Sequence, residues 1–239
     1  MGAGSECTQQ GTIQEQLKPR FPIVVPQDMA PDAIRYWLGR APDVIVEIGC
    51  NDGTDTVKFL EAFPQAKMYC FEPDPRAATA FRENVKNHRA YLLQLAVSDE
   101  CGVAQLWQSS GPTWKNRDWD LSSSICAPTR HLERSPEITF HNQVPVRTTT
   151  LDAWRAARKD WLPEAIDFIW CDPQGAQAKI IRGGKETLKR TRWLYIEAYD
   201  SPLYDGEPSL IEICEMLPDW ELVGRYANEN ALFRNREIA

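Results

Sequence analysis

The sequence lacks an apolar run of about 18 residues, the length that a membrane-spanning helix needs. It also lacks a cationic start followed by an apolar stretch, which is the pattern of a secretory signal. Lysine and arginine total 27 against 34 acids, and they form no stripe that could follow nucleic-acid phosphates. We therefore expect a soluble cytoplasmic protein that acts on neither membranes nor long nucleic acids.

Patterns of metal binding and of disulfide pairing are missing too. The seven cysteines are scattered without a C-x-x-C pair, and Cys50, Cys70 and Cys171 lie in or beside apolar runs. Zinc sites need closely spaced ligands, and an odd number of cysteines in such positions is typical of reduced thiols. We expect no metal site and a reducing compartment.

Short apolar runs recur along the chain without polar alternation, as in strands that are buried on both faces. These runs are Val44–Ile48, Lys67–Phe71, Tyr91–Val97, Ile166–Cys171 and Trp193–Ile196. The segments between several of them have apolar residues at helical spacing. Strands that alternate with helices in this way predict a mostly parallel, doubly wound α/β sheet with right-handed crossovers.

Capping residues and prolines define the predicted helices. The first helix is capped by Asp28 and the third begins at Asp74-Pro75. The helices are predicted over Asp28–Gly39, Thr54–Phe63, 75 to about 87, 176 to about 188, and after Pro208. Two closing strands, Glu221–Val223 and Ala231–Phe233, are predicted to pair in antiparallel fashion.

The domain organisation follows from the same pattern. Residues 1–27 are polar and patternless, so we expect a flexible leader before a single domain over 28–239. Residues 99–165 interrupt the alternation, because two β-like runs, Val103–Trp107 and Val144–Thr150, flank a loop rich in serine, proline and tryptophan. Long loops inside compact domains are usually lids or binding loops, so this region is interpreted as an inserted lid or hairpin.

The most specific motif is EIGCNDG at 47–53, where the first predicted strand turns into a helix. Gly49 and Gly53 let the backbone approach a ligand closely, since neither has a Cβ. Glu72 follows Gly49 by 23 residues, at the end of the second strand, where a carboxylate can accept both hydroxyls of a ribose. This arrangement predicts an adenosine-containing cofactor.

The spacing distinguishes two cofactor classes. Dinucleotide sites have G-x-G-x-x-G, whereas this chain has G-x-x-x-G, with Asn51 in place of a middle glycine. The acid Glu47 would repel a pyrophosphate, but it suits a ligand that carries an ammonium and a sulfonium. The motif therefore favours S-adenosylmethionine over NAD, and a tight turn without a ligand is the remaining alternative.

In order and spacing, the motifs resemble the FkbM-type family of S-adenosylmethionine-dependent methyltransferases over about residues 40–235. The resemblance depends on EIGCNDG at 47–53, FEPDP at 71–75, LAVSD at 95–99, SSSI at 122–125, TTLDAW at 149–154 and IDFIWCDPQGAQ at 166–177. It implies a class I Rossmann-like methyltransferase fold with a mostly parallel seven-stranded sheet and helices on both faces. It also implies O-methylation of a hydroxyl on a sugar, glycan or related small metabolite.

The resemblance further implies roles for individual residues. Glu47, Gly49, Asn51 and Gly53 would hold the methionine end, Glu72 the ribose, Ala96, Val97 and Ser98 the adenine, and Asp172 would face the reacting centre. One departure concerns the fourth strand end, where the family commonly has D-x-E-G-x-E. This chain has Gln174 and Gln177 in place of both glutamates, which puts the acceptor in question more than the cofactor.

A hydroxyl acceptor benefits from a general base, and open α/β sheets place their ligands at the carboxyl ends of the strands. Asp172 and Glu197 follow strands, and His131 lies in the long loop, so these three are the candidate catalytic residues. Each has a simpler interpretation, since strand-end acids often cap helices and a loop histidine is more often solvated.

Other features leave alternatives open. Trp107, Trp114 and Trp119 are interpreted first as packing for the lid and second as a stacking surface for a sugar. Ser122, Ser123 and Ser124 could bind acceptor hydroxyls or form turns. N-methyl transfer, a non-catalytic module that binds S-adenosylmethionine, and a dehydrogenase are the competing functional hypotheses.

Overall fold

The structure is a computed structural model that describes residues 29–113, 115–160, 162–227 and 229–238. The expected leader, the Asp28 cap and Trp114 lie outside the described residues. The first helix begins at Pro31, and its N-cap position is Ala30, whose side chain makes no capping hydrogen bond. In the described part of the chain, no helix is long and apolar enough to cross a membrane.

Helices and strands alternate along most of the chain. In chain order they are α1 (Pro31–Leu38), β1 (Val44–Ile48), α2 (Thr54–Ala62), β2 (Lys67–Phe71), α3 (Pro75–Asn84), β3 (Ala90–Leu93), β4 (Ala96–Val97), β5 (Gly102–Ser110), α4 (His131–Arg134), β6 (Thr139–Thr149), α5 (Leu151–Ala156), β7 (Ile166–Cys171), α6 (Gln177–Gly183), α7 (Lys185–Leu188), β8 (Thr191–Glu197), α8 (Leu210–Met216), β9 (Trp220–Arg225) and β10 (Asn230–Asn235).

A seven-stranded sheet in the order β3-β2-β1-β7-β8-β10-β9 forms the centre of the molecule. The strands from β3 to β8 in this order pair in parallel, and β10 pairs in antiparallel fashion with β8 and β9. The predicted doubly wound α/β fold and its antiparallel ending are therefore confirmed. The strand order reverses between β1 and β7, and ligands bind at such a switch point.

The strand β1 is buried at every position because the sheet is covered on both faces. Val44, Val46 and Ile48 join one apolar cluster, which includes residues of α6 and α8. Ile45 points to the other face and joins a second cluster, which includes Phe59 of α2 and Phe81 of α3. Alternation of side chains along a strand thus explains why an uninterrupted apolar run is needed here.

The predicted third strand over Tyr91–Val97 is wrong as a single element. The backbone N–H of Leu95 bonds to the carbonyl of Leu93 at 2.8 Å, and this tight turn ends β3. The next two residues form β4, which pairs in parallel with β6 in a separate sheet of order β4-β6-β5. Apolar character alone could not separate the two strands, since the residues of both are apolar.

The predicted helix over 176–188 is also divided. It forms α6 and α7, which meet at Gly183 and Gly184. A Cβ at Gly183 would lie 2.2 Å from the carbonyl oxygen of Ser98, so the helix can pass this backbone only where a side chain is absent. Glycine pairs are also weak helix formers.

The region over 99–165 contains the predicted pair of strands, since β5 and β6 pair in antiparallel fashion. The chain between them lies against the ends of the large sheet. Ser123 donates a hydrogen bond to Asp74 at 2.9 Å, and Arg76 donates one to the carbonyl of Ser109 at 3.0 Å. These bonds fix the inserted segment above the carboxyl end of β2.

Gly49 allows a direct test of how closely β1 and β7 approach each other. A Cβ on Gly49, which has φ of 84°, would lie 2.0 Å from the carbonyl oxygen of Asp172. Gly39 also has positive φ, but its Cβ would meet no atom within 4 Å. We expect Gly39→Ala to lower the free energy of unfolding by about 1 kcal/mol, because of its backbone conformation alone. Gly49→Ala should lower it by about 1–3 kcal/mol more than Gly39→Ala does, because its Cβ would also meet the backbone of Asp172. Urea denaturation measures both, and equal losses would contradict the close approach.

Candidate active site

A cavity of about 360 Å³ opens at the carboxyl ends of β1, β2, β4 and β7. Its floor is formed by strand ends, with Ile48 and Gly49 from β1, Glu72 after β2, and Asp172 after β7. The inserted segment between β5 and β6 supplies the opposite wall. The cavity therefore lies where the strand order of the sheet reverses, as a doubly wound fold predicts.

The glycine turn after β1 is held by the neighbouring strand. The backbone N–H groups of Gly49 and Cys50 both donate to the carbonyl of Phe71, at 2.9 and 3.1 Å. Gly49 and Asn51 both have positive φ, and both line the cavity. The turn thus presents bare backbone to the cavity, as the sequence predicted.

Glu72 is buried at the edge of this turn. One carboxylate oxygen accepts the N–H of Asn51 at 2.9 Å, and the other accepts the N–H of Asp74 at 2.7 Å. Each carboxylate oxygen has two acceptor sites, so both oxygens can still accept a ligand hydroxyl. Burial raises the pKa of Glu72 to about 8. This geometry fits the expected pair of ribose hydroxyls.

Glu47 lines a second, adjoining cavity of about 300 Å³, which shares Gly49, Asn51 and Asp172 with the first. Its carboxyl group is buried, and Thr56 donates a hydrogen bond to it. Burial raises the pKa of Glu47 to about 8. A positively charged group in this cavity would favour the ionised form, which fits an ammonium or a sulfonium.

Ala96 and Val97 line the main cavity, but Gly53 and Ser98 line neither of the two. A Cβ on Gly53 would lie 2.3 Å from a methyl group of Val85, so its lack of a side chain serves packing against the end of α3. Ser98 donates a hydrogen bond to Asp99 at 3.1 Å and lies behind the cavity wall. These two expected contacts with the cofactor are not supported by the geometry.

Three residues of the inserted segment contact the glycine turn and were missed by reasoning from the sequence, namely Lys115, Arg117 and Asp120. Asp120 accepts a hydrogen bond from the side-chain amide of Asn51 at 3.1 Å. Arg117 donates to Asp120 at 2.9 Å and to the side-chain oxygen of Asn51 at 3.1 Å. Lys115 forms an ion pair with Asp52 at 3.1 Å. No local pattern marks these residues, because the turn residues that they contact lie more than 60 positions away along the chain.

Asp172 and Glu197 meet at the ends of β7 and β8. Gln174 bridges their carboxyl groups, and the pKa of Glu197 is raised well above its ordinary value by burial and by the charge of Asp172. Gln174 donates to Asp172 at 2.6 Å and to Glu197 at 3.3 Å, and the Tyr199 hydroxyl donates to Glu197 at 2.8 Å. Asp172 lines both cavities, while Glu197 is buried behind it.

The third catalytic candidate, His131, begins the short helix α4 and is buried, so the interpretation of a solvated loop histidine is wrong. Its ring makes edge contact with Phe140 and packs against Tyr204 at a centroid distance of 5.5 Å. Burial lowers the pKa of His131, so the ring is neutral near pH 7. It lines the same cavity as Glu72 and Asp172.

Trp119 and the serine run complete the wall formed by the inserted segment. The Trp119 indole donates to the Ser122 hydroxyl at 3.0 Å, and both residues line the cavity. Ser123 and Ser124 bond to Asp74 and to the carbonyl of Gln174, so they hold the inserted segment on the strand ends. Trp107 also belongs to this segment's sheet. Among the described residues, no group of three histidine, cysteine or acidic side chains is placed to hold a metal.

This sheet order, with a glycine turn and two strand-end acids around one crevice, defines the class of Rossmann-like methyltransferases. The chain belongs to the FkbM methyltransferase family, whose model matches residues 47–228. It is a methyltransferase that uses S-adenosylmethionine.

The chain is also similar to individual proteins. The chain is 42% identical over 205 residues to the 2-O-methyltransferase NoeI of Sinorhizobium fredii, covering 84% of this chain and 83% of that protein. It is also similar to the plantazolicin methyltransferase BpumL, solved with S-adenosylhomocysteine, at 12% identity and a TM-score of 0.42, over 78% of this chain and 58% of that one. A precorrin-6y C5,15-methyltransferase of Geobacter metallireducens matches at 11% identity and a TM-score of 0.40, over 90% and 92% of the two chains.

Binding of the cofactor should release protons. Glu47 and Glu72, with pKa values of about 8, are largely protonated at pH 7 in the free protein, and a cationic ligand that donates hydroxyls favours their ionised forms. We expect a net release of up to about one proton per group at pH 7. Calorimetry in phosphate and in Tris, whose ionisation enthalpies differ, measures this release. Glu47→Gln and Glu72→Gln should each reduce it, and an enthalpy independent of buffer would contradict both assignments.

Proposed function

We propose that this chain transfers the methyl group of S-adenosylmethionine to a hydroxyl group of a sugar or glycan. The observation that carries the proposal is the position of Asp172, which lines the same crevice as Glu72 and His131 and is joined to Glu197 by the amide of Gln174. An acid held at this point can take the proton of an incoming hydroxyl. The relative NoeI is a 2-O-methyltransferase, which supports oxygen as the acceptor atom.

The cofactor would be held by the residues that line the two joined cavities. Glu47 faces the smaller cavity and would attract the positive end, Gly49 and Asn51 would lie along the methionine portion, and Glu72 would accept the ribose hydroxyls. Ala96 and Val97 would border the adenine. When bound, the cofactor supplies a methyl group whose bond to sulfur breaks as the bond to the acceptor oxygen forms, and the electron pair stays on sulfur.

Asp172 would act as the general base in this reaction. Its carboxylate receives the hydroxyl proton as the oxygen bonds to the methyl carbon, while Glu197, whose pKa is raised by burial and by the charge of Asp172, already carries a proton. Glu197 is buried and does not line the crevice, so it would act through Asp172 rather than touch the acceptor. A positioned base of this kind contributes roughly 10²–10⁴ to the rate.

The acceptor would occupy the wall formed by the inserted segment. Trp119 offers an aromatic surface for the C–H face of a sugar, and Ser122, His131 and Tyr199 offer hydrogen-bonding groups around it. The neutral ring of His131 would orient the acceptor hydroxyl beside Asp172. We further propose that residues 28–239 fold as one domain, that 99–165 is its lid, and that the enzyme works on a small molecule or glycan in the cytoplasm.

A panel of acceptors tests the proposal. The protein is incubated with isotope-labelled methyl donor and with free sugars, oligosaccharides, lipid-linked glycans, phenols and amines, and the labelled product is identified by mass spectrometry. We expect a methyl ether on a carbohydrate. Methylated amines as the only products, or no labelled product from any carbohydrate, would overturn the proposal.

Asp172→Asn removes the proposed base with little change in shape. We expect turnover to fall by roughly 10²–10⁴, while the affinity for S-adenosylmethionine stays within about threefold, since the cofactor contacts remain. Asp160 is exposed and far from the crevice residues, so Asp160→Asn serves as the matched control and should keep full turnover. Initial rates with the best acceptor and calorimetry with the cofactor measure both effects. Full turnover of the Asp172→Asn protein would show that Asp172 is not the general base.

A further inference from the structure

Gln174 is the side chain that bridges the two strand-end acids. Its amide nitrogen lies 2.6 Å from an oxygen of Asp172 and 3.3 Å from an oxygen of Glu197. A side-chain amide has two N–H donors, which matches these two acceptors. One residue therefore donates to both members of the carboxyl pair.

The orientation of this amide is fixed from the other side. The Tyr204 hydroxyl lies 3.0 Å from the side-chain oxygen of Gln174 and 2.9 Å from the carbonyl oxygen of Ser122, so its single proton is divided between these two acceptors. With the amide oxygen of Gln174 on this side, its nitrogen points toward the acids. The backbone carbonyl of Gln174 accepts a hydrogen bond from the hydroxyl of Ser124 in the inserted segment. These contacts hold Gln174 at φ of 50°, a left-handed conformation that is uncommon for residues with a Cβ.

The surroundings of the pair are acidic. Glu207 raises the pKa of Glu197 further and accepts a hydrogen bond from the buried side chain of Gln177, which also approaches Glu197 at 3.4 Å. The other titratable groups that face the pair are Cys171 on β7, Tyr199 and Tyr204 after β8, and Arg134 on α4, which stacks over Tyr199 and pairs with Glu229. Amide donors from Gln174 and Gln177 thus stabilise acids that would otherwise repel one another.

We propose that Gln174 is a positioning residue that holds Asp172 and Glu197 as one proton-sharing pair with a single negative charge directed at the methyl acceptor. This inference rests on the proposed function, since it assigns the pair to the acceptor proton. A glutamate at this position would place a third carboxyl group against the other two, and the pair would then keep its proton to a higher pH. With glutamine at this position, the pair stays ionised to a lower pH than it would with glutamate.

Two variants test the role of the Gln174 side-chain amide separately from that of its left-handed backbone. Gln174→Glu keeps the shape and replaces the donor by an acid. Gln174→Asn withdraws the amide by one methylene, and asparagine tolerates the left-handed backbone well, so this protein should fold even if the first variant does not. Gln65 is exposed in the turn before β2, so Gln65→Glu is the matched control for the added charge.

The first measurement needs no acceptor. Carbon-13 NMR of labelled carboxyl groups follows the titration of the pair, with Asp172→Asn and Glu197→Gln used for assignment. We expect the apparent pKa of the pair to rise by about one unit in Gln174→Asn and by more in Gln174→Glu, since a lost donor and an added like charge both disfavour the anion. The Gln65→Glu control should leave it unchanged. An unchanged titration in both Gln174 variants would overturn the proposal.

The second measurement links the pair to turnover. The pH dependence of kcat is then measured with the acceptor found by the panel. The apparent pKa of its acidic limb should rise by the same amount as the pKa measured by NMR, while KM for both substrates stays within about threefold. A one-unit shift corresponds to about a tenfold loss of kcat on that limb. A purely structural role would lower kcat without moving the limb, and that result would overturn the link to catalysis. If no acceptor is methylated, the proposed function fails, whereas the NMR titration still decides whether Gln174 controls the pair.

Discussion

The close contact between β1 and β7 is the constraint on which the site depends. The N–H of Asp172 bonds to the carbonyl of Ile48 at 2.9 Å, and the carbonyl of Asp172 occupies the space that a side chain on Gly49 would need. The strand order reverses here, so the chains diverge beyond this contact and leave a crevice. The glycine that shapes the turn after β1 therefore also brings this turn to Asp172.

Buried acids are the second organising feature of the crevice. Glu47, Glu72, Asp172 and Glu197 all lie at strand ends, and burial raises the pKa of three of them, Glu47, Glu72 and Glu197. Isolated buried carboxylates are costly, so each is satisfied by a hydroxyl, a backbone N–H or an amide. The cluster suits a cation and a proton donor, which agrees with S-adenosylmethionine and with the hydroxyl acceptor proposed above.

The inserted segment connects these two features. Ser123 and Ser124 attach it to the ends of β2 and β7, and Arg117 attaches it to the turn after β1. Ser124 bonds to the backbone of Gln174, whose side-chain amide donates to both members of the acid pair. The turn after β1, the inserted segment and the Asp172–Glu197 pair are thus parts of one polar network, and only a few hydrogen bonds separate the segment from the carboxyl groups.

The sequence by itself determined the layered fold, the glycine turn and the positions of Glu72 and Asp172, because these depend on apolar periodicity and on strand-end placement, which are local. The tertiary structure alone decided the break between β3 and β4, the packing role of Gly53 and the burial of His131. It also decided the contact of Arg117 with the turn after β1 and the contacts of Gln174 with the acid pair. These features depend on partners distant in sequence, whose distances and hydrogen bonds exist only once the chain has folded.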